Sequence, residues 1–185
     1  MMRKKHKLLV MFFVVILFTT ACHTEKISQT QQKIVRFSVK RFDLPNGWSY
    51  SGENWYRDFG GENYTVAYAV SDTPKIAFGH TISAYETEDD ARDAYPKWEN
   101  DVFSEAWEPW DGADFSPSDP NDLSRFECFQ LSTNSPIIDC DYLQLHGRFI
   151  SLVLVNLDSK SMTFEQLNEI LGILDKRLNE VSIDD

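Results

Sequence analysis

Side chains suited to acid–base chemistry are few in this sequence. Beyond Cys22 there are three histidines, His23, His80 and His146. Imidazole beside a carboxylate is the commonest general base near neutral pH. His80 or His146 with a nearby Asp or Glu is therefore the route by which this chain could act as a cell-envelope hydrolase. Other catalytic patterns are missing. No serine lies in a G-x-S-x-G turn, and there is no H-E-x-x-H, no P-loop and no G-x-G-x-x-G. His80 shares a strand face with Ile76, Phe78 and Ile82, the setting of a core histidine, while His146 sits in a tight turn and His23 in a polar run.

Carboxylate pairs such as Asp139/Asp141 arise readily among 29 acidic residues, and the Glu88-Asp89-Asp90 triplet suits a helix N-terminus. Asp114, Ser116, Ser118, Asp119, Asn121 and Asp122 space oxygen ligands in a loosely calcium-like way. The run lacks the glycine of an EF-hand loop at its sixth position and has Arg125 where the twelfth should be Glu. The expectation is a protein without metal, cofactor or catalytic residues.

Cys128 and Cys140 flank the turn-forming Asn134-Ser135-Pro136. A hairpin centred on Asn134 places them directly opposite each other, within disulfide reach. A metal site would need more thiols or imidazoles than lie nearby, and a reduced pair is the other alternative. The same register sets Glu127 against Asp141, an unfavourable like-charge pair.

Aromatics form two groups. Trp48, Tyr50, Trp55, Tyr56 and Phe59 crowd one segment, and their ordinary use is core packing. Trp107 and Trp110 lie outside any periodic element, in the irregular run 104–124. They are the candidate contacts for an envelope protein or a glycan, since indole rings stack on sugars and anchor protein interfaces.

The elements that must position these residues begin after a distinct N-terminus. Arg3, Lys4, Lys5 and Lys7 precede the apolar run Leu8 to Phe18, then Thr19, Thr20, Ala21 and Cys22. Such a run is shorter than the roughly 20 residues a spanning helix needs and fits a signal peptide over 1–21. The ending TTAC resembles the lipobox of bacterial lipoprotein signal peptides. That resemblance implies acylation of Cys22 and a lipid anchor on the extracytoplasmic face of a cell membrane. Simple cleavage near Ala21, giving a secreted protein, and an uncleaved anchor are the alternatives.

The first 21 residues hold four of the 18 basic residues and no acidic one, so 14 basic and 29 acidic residues remain, a net charge of −15. Phosphate backbones and anionic surfaces repel such a chain, which excludes nucleic acid as an expected partner.

Residues 22–33 read as the lipidated cysteine and a polar tether reaching at most about 35–40 Å. One globular domain should fill 34–185. Period-two patterns predict strands over 34–42, near 54–59, over 64–70 and 75–85, then over 125–132, 137–145 and 149–157. The run 149–157 is apolar at nearly every position and should be covered on both faces. Two main helices are expected, about 87–103, kinked at Pro96, and about 163–179, with the Thr163/Gln166 capping box and the Met162/Leu167 staple. The order strands, helix, strands, helix predicts an α+β fold with a mostly antiparallel sheet. The two halves form a loose repeat without matching residues.

The phrase FDLPNGWSY with this element order resembles PsbP-like α/β domains of lumenal and bacterial extracytoplasmic proteins. The stretch CDYLQLHGRFIS before the last helix is similar to uncharacterised bacterial lipoproteins. The first resemblance implies a binding or assembly module, and neither carries over a catalytic residue.

Overall fold

The computed structural model of the chain describes residues 28–70, 73–103, 114–130, 137–158 and 160–181. The elements are helix α1 (Gln29–Phe37), a 3-10 turn (Arg41–Asp43), strands β1 (Trp48–Asp58), β2 (Gly61–Val70) and β3 (Thr73–Ala84), helix α2 (Glu88–Val102), strands β4 (Leu123–Gln130), β5 (Ile138–His146) and β6 (Phe149–Leu157), and helix α3 (Phe164–Val181). The strands form one antiparallel sheet in the order β1-β2-β3-β6-β5-β4. It consists of two three-stranded meanders joined between β3 and β6, and a helix follows each. The α+β expectation and its division into two similar halves both hold at this level.

The first expected strand is a helix instead. Ser28 caps α1: its hydroxyl accepts the Gln31 amide at 3.0 Å, and the Gln31 side chain accepts the Ser28 amide at 2.9 Å. Ile34 and Phe37, three apart, are the buried residues of its inner face. The apparent alternation of Val35, Phe37 and Val39 runs across the helix end, with Val39 belonging to the extended chain beyond it. The two-helix expectation thus becomes three helices, and the polar stretch read as a tether ends inside α1.

The later helices follow the sequence closely. Thr87 and Asp90 make the capping box of α2, which continues through Pro96. Thr163 and Gln166 cap α3 reciprocally, at 2.9 and 3.2 Å, and Met162 and Leu167 are both buried. No described helix is long and apolar enough to cross a membrane.

The two faces of the sheet are covered unequally. On one, α1 and α3 bury Phe78, Ile82, Tyr142, Val153, Val155 and both Cys128 and Cys140. On the other, Ala91, Ala94, Tyr95 and Trp98 of α2 cover Leu143, Leu145, Ile150 and Leu152. That helix reaches over only one end of the strands. Leu154, one step further along β6, is 44% exposed. The expectation that β6 is covered on both faces therefore fails at Leu154, because α2 ends at Val102 before reaching it.

Candidate functional site

The half of the second face that no described helix covers is a groove of about 730 Å³. Its floor is a row across the sheet. Antiparallel pairing sets Asp141 of β5 beside Leu154 of β6, Leu154 beside Gly79 of β3, and Gly79 beside Ala67 of β2. Thr65, Ala77 and Thr81 extend that floor, and Trp98, Asp101 and Val102 of α2 form one wall. The depression follows from side-chain size. Alternate residues of β2 and β3 that face α1 and α3 are large, including Val66, Tyr68, Phe78 and Ile82, whereas those facing the groove are small. Phe129 of β4 and Asp139 of β5 close the far side.

The acidic wall has a particular structure. Glu127 opposes Asp141 across β4 and β5, as the hairpin register requires. The like-charge contact is relieved on one side only: Arg125 holds Glu127 at 2.7 Å and reaches Glu99 of α2 at 3.4 Å. Asp139 accepts a hydrogen bond from the Asn156 amide. Among the described residues no donor or cation meets the Asp141 carboxylate. Burial, then the neighbouring charges of Asp139 and Glu127, push its pKa up to about 7.

Linkage fixes the consequence for stability. Folded Asp141 titrates near 7, against 3.8 when unperturbed. Its contribution is fully present below the unfolded value and is lost as pH rises through the folded one. Asp141→Asn removes that loss. The variant is expected to be more stable than wild type at pH 8, by about 1–2 kcal/mol once water screening is allowed for, with no gain near pH 4. Urea denaturation at the two pH values checks this, and equal stabilities at pH 8 would contradict it.

His80 is fully buried with both ring nitrogens engaged. Nδ1 accepts the Val39 amide at 3.0 Å, which fixes the proton on Nε2, and Nε2 donates to Ser151 Oγ at 3.0 Å. Burial, then the positive charges of Arg177 and Lys40, lowers its pKa to about 3. It is a neutral core histidine joining the chain after α1 to the middle of the sheet. His146 is also buried, with Nδ1 on Asp122 at 2.9 Å, a contact that raises its pKa despite burial. Its Nε2 meets no hydrogen-bond partner among the described residues. Ser118, the nearest part of the 114–122 run to carry a hydroxyl into this network, donates to Asp175 at 2.5 Å. Neither histidine lines the groove.

The calcium-like run does not converge as a ligand shell. Asp119, Asp122 and His146 bring one ligand atom each within 4.8 Å of one another. Asp119 accepts the amide and side chain of Asn121, and Asp122 accepts Gln144 at 2.7 Å. These bonds fasten the run to β5 and α3 through Gln144, His146 and Asp175.

The first aromatic group divides. Trp48 is buried and donates to the Ser161 carbonyl at 3.1 Å. Phe59 packs edge-on against Trp98, Tyr56 lines the groove, and Tyr50 and Trp55 are exposed on the edge strand. Trp107, Trp110 and Cys22 lie outside the described residues, so the structure does not place these three. Cys128 and Cys140 are joined as the hairpin register predicts. The groove itself escaped sequence reading. Its one visible sign is the placing of Asp139 and Asp141 two residues apart on a strand otherwise facing a core.

No protein-family model matches the chain, and no curated protein matches it. Among solved structures it is similar to the extracellular domain of PknH from Mycobacterium tuberculosis, with 9% sequence identity, a TM-score of 0.57, and coverage of 80% of this chain and 96% of that one. At this identity the likeness is one of fold: the six-stranded sheet and its helices form an arrangement already known from that domain.

Proposed function

We propose that this chain is a lipid-anchored extracytoplasmic binding module whose ligand occupies the groove beside α2. The observation that carries the reading is the half-covered sheet face. The central strands bury one face of the sheet and leave a walled depression of about 730 Å³ on the other, the size of a small-molecule site. The location is supported by the Cys128–Cys140 disulfide, which suits an oxidising compartment. It is also supported by the fold shared with a domain described as extracellular. The anchor rests on the signal-like run ending at Cys22. Trp107 and Trp110 leave the end of α2 in sequence and are read as contacts for an envelope partner or glycan. The binding role is favoured over hydrolysis because His80 is a neutral, enclosed structural group and no described hydroxyl bonds to His146.

Two tests separate the parts. Cys22→Ser is expected to move the protein from the membrane fraction to the soluble fraction while leaving it folded. Membrane retention at the wild-type level would contradict the anchor. Ala67→Phe puts a ring into the groove from a position facing away from the α1/α3 core. Small-molecule extract from the protein's own membranes, titrated into isotope-labelled wild type, should shift the amides of Ala67, Gly79 and Leu154. The same extract should leave Ala67→Phe unchanged. Shifts that persist in the variant, or fall elsewhere, would contradict the groove.

A further inference from the structure

The groove has one sign of charge. Asp101, Asp139 and Asp141 line it, and none of the described lining residues is Lys, Arg or His. Arg125, the cation of the adjacent strand β4, is committed to Glu127 and Glu99 and lies over the Phe103 ring. The Asp141 carboxylate is thus left beside those of Asp139 and Glu127 with no countercharge among the described residues. Next to it the lining turns apolar: Leu154 directly across the pair, then Leu152, Gly79 and Ala67. Phe129 and Tyr56 line the same space.

We propose that the groove is a site for a small organic cation, with an ammonium head against Asp141 and Asp139 and an apolar body over Leu154, Leu152 and the Gly79–Ala67 floor. This rests on the reading of the groove as a ligand site and adds the ligand's chemistry. An anion would be repelled by Asp139 and Asp141. A hard metal ion would need six or more oxygen ligands and would leave the leucines and small residues without a role. An organic ammonium uses both halves: it supplies the countercharge that Asp141 lacks and covers Leu154.

The test uses the full chain and three probes of one shape, phenylethylammonium, phenylethanol and phenylacetate, with affinity and amide shifts measured for each. The ammonium should bind about tenfold or more tightly than the alcohol, the weight of one charge-assisted hydrogen bond, and the acetate should bind weakest. Asp141→Asn should lower ammonium affinity about tenfold and leave the alcohol unchanged. Ammonium affinity should also rise between about pH 6 and pH 8 in wild type, and stay flat in Asp141→Asn. The groups facing that carboxylate are Asp139 along β5, Glu127 with Arg125 from β4, and Asp101 from α2. Tyr56 stands on the β1 side, and β3 and β6 contribute Thr81 and Asn156, which do not titrate. Equal binding of the alcohol and the ammonium, or no effect of Asp141→Asn, overturns the cation and leaves the groove reading standing. No binding by any probe also overturns the cation, and the groove is then decided by the native ligand measurement described below.

Discussion

Arg177→Met is expected to lower the folding stability of the domain by about 3–5 kcal/mol, the scale for stranding a buried charge. Arg177 of α3 grips the Asp43 carboxylate with two nitrogens, at 2.7 and 2.8 Å, and also donates to the Ser38 carbonyl at 3.1 Å. The Asp43 side chain is only 4% exposed. Its other partner is the Lys40 amide at 2.6 Å. Methionine keeps an unbranched stem like that of arginine without its charge, so most of the loss would come from the uncompensated carboxylate. Asp43→Asn in the same chain should recover much of the loss, because it removes the stranded charge. A change below about 1 kcal/mol in urea denaturation would mean that water reaches the pair as at a surface. This contact fastens α1 and the turn after it to α3, the layer that covers the main core.

The second large effect concerns the hairpin behind the acidic wall. Cys128 and Cys140 are separated by 12 residues and face the α1/α3 core, while their neighbours Asp139, Asp141 and Phe129 face the groove. Replacing both cysteines by serine should cost about 3 kcal/mol in the chain-entropy model. It also puts two hydroxyls into an apolar core, a further penalty unless they find partners. The same loss should appear when wild type is unfolded with a reductant present. Equal denaturation midpoints with and without reductant would show that the bond contributes nothing to stability. Because β4 is an edge strand whose one strand partner among the described residues is β5, loosening it should also broaden the amide signals of Asp139 and Asp141.

These contacts differ in how far the sequence announces them. The Cys128–Cys140 register follows from a turn centre and a count, since opposite residues in a hairpin are fixed by symmetry. The start of α3 follows from Thr163, Gln166, Met162 and Leu167, all within one turn. Arg177 is different: its guanidinium crosses from α3 to Asp43 in the turn after α1. No local pattern could reveal a partner more than 130 residues away. The α1 segment reads as a strand because Val35, Phe37 and Val39 alternate, although Ile34 and Phe37 have helical spacing, and the Ser28 cap lies in a stretch that looks like linker. The groove was hidden for a related reason. It depends on where α2 stops relative to β6, which is a matter of packing. With the fold known, the small residues Ala67, Ala77 and Gly79 on alternate positions of two central strands mark its floor.

The central claim is that the open half of the sheet face holds a ligand. Native mass spectrometry of the full chain, released from its own membranes under non-denaturing conditions, tests it most directly. A bound mass is expected on wild type, lost on unfolding and absent from Ala67→Phe. A wild-type protein without added mass, or the same added mass on Ala67→Phe, would contradict it.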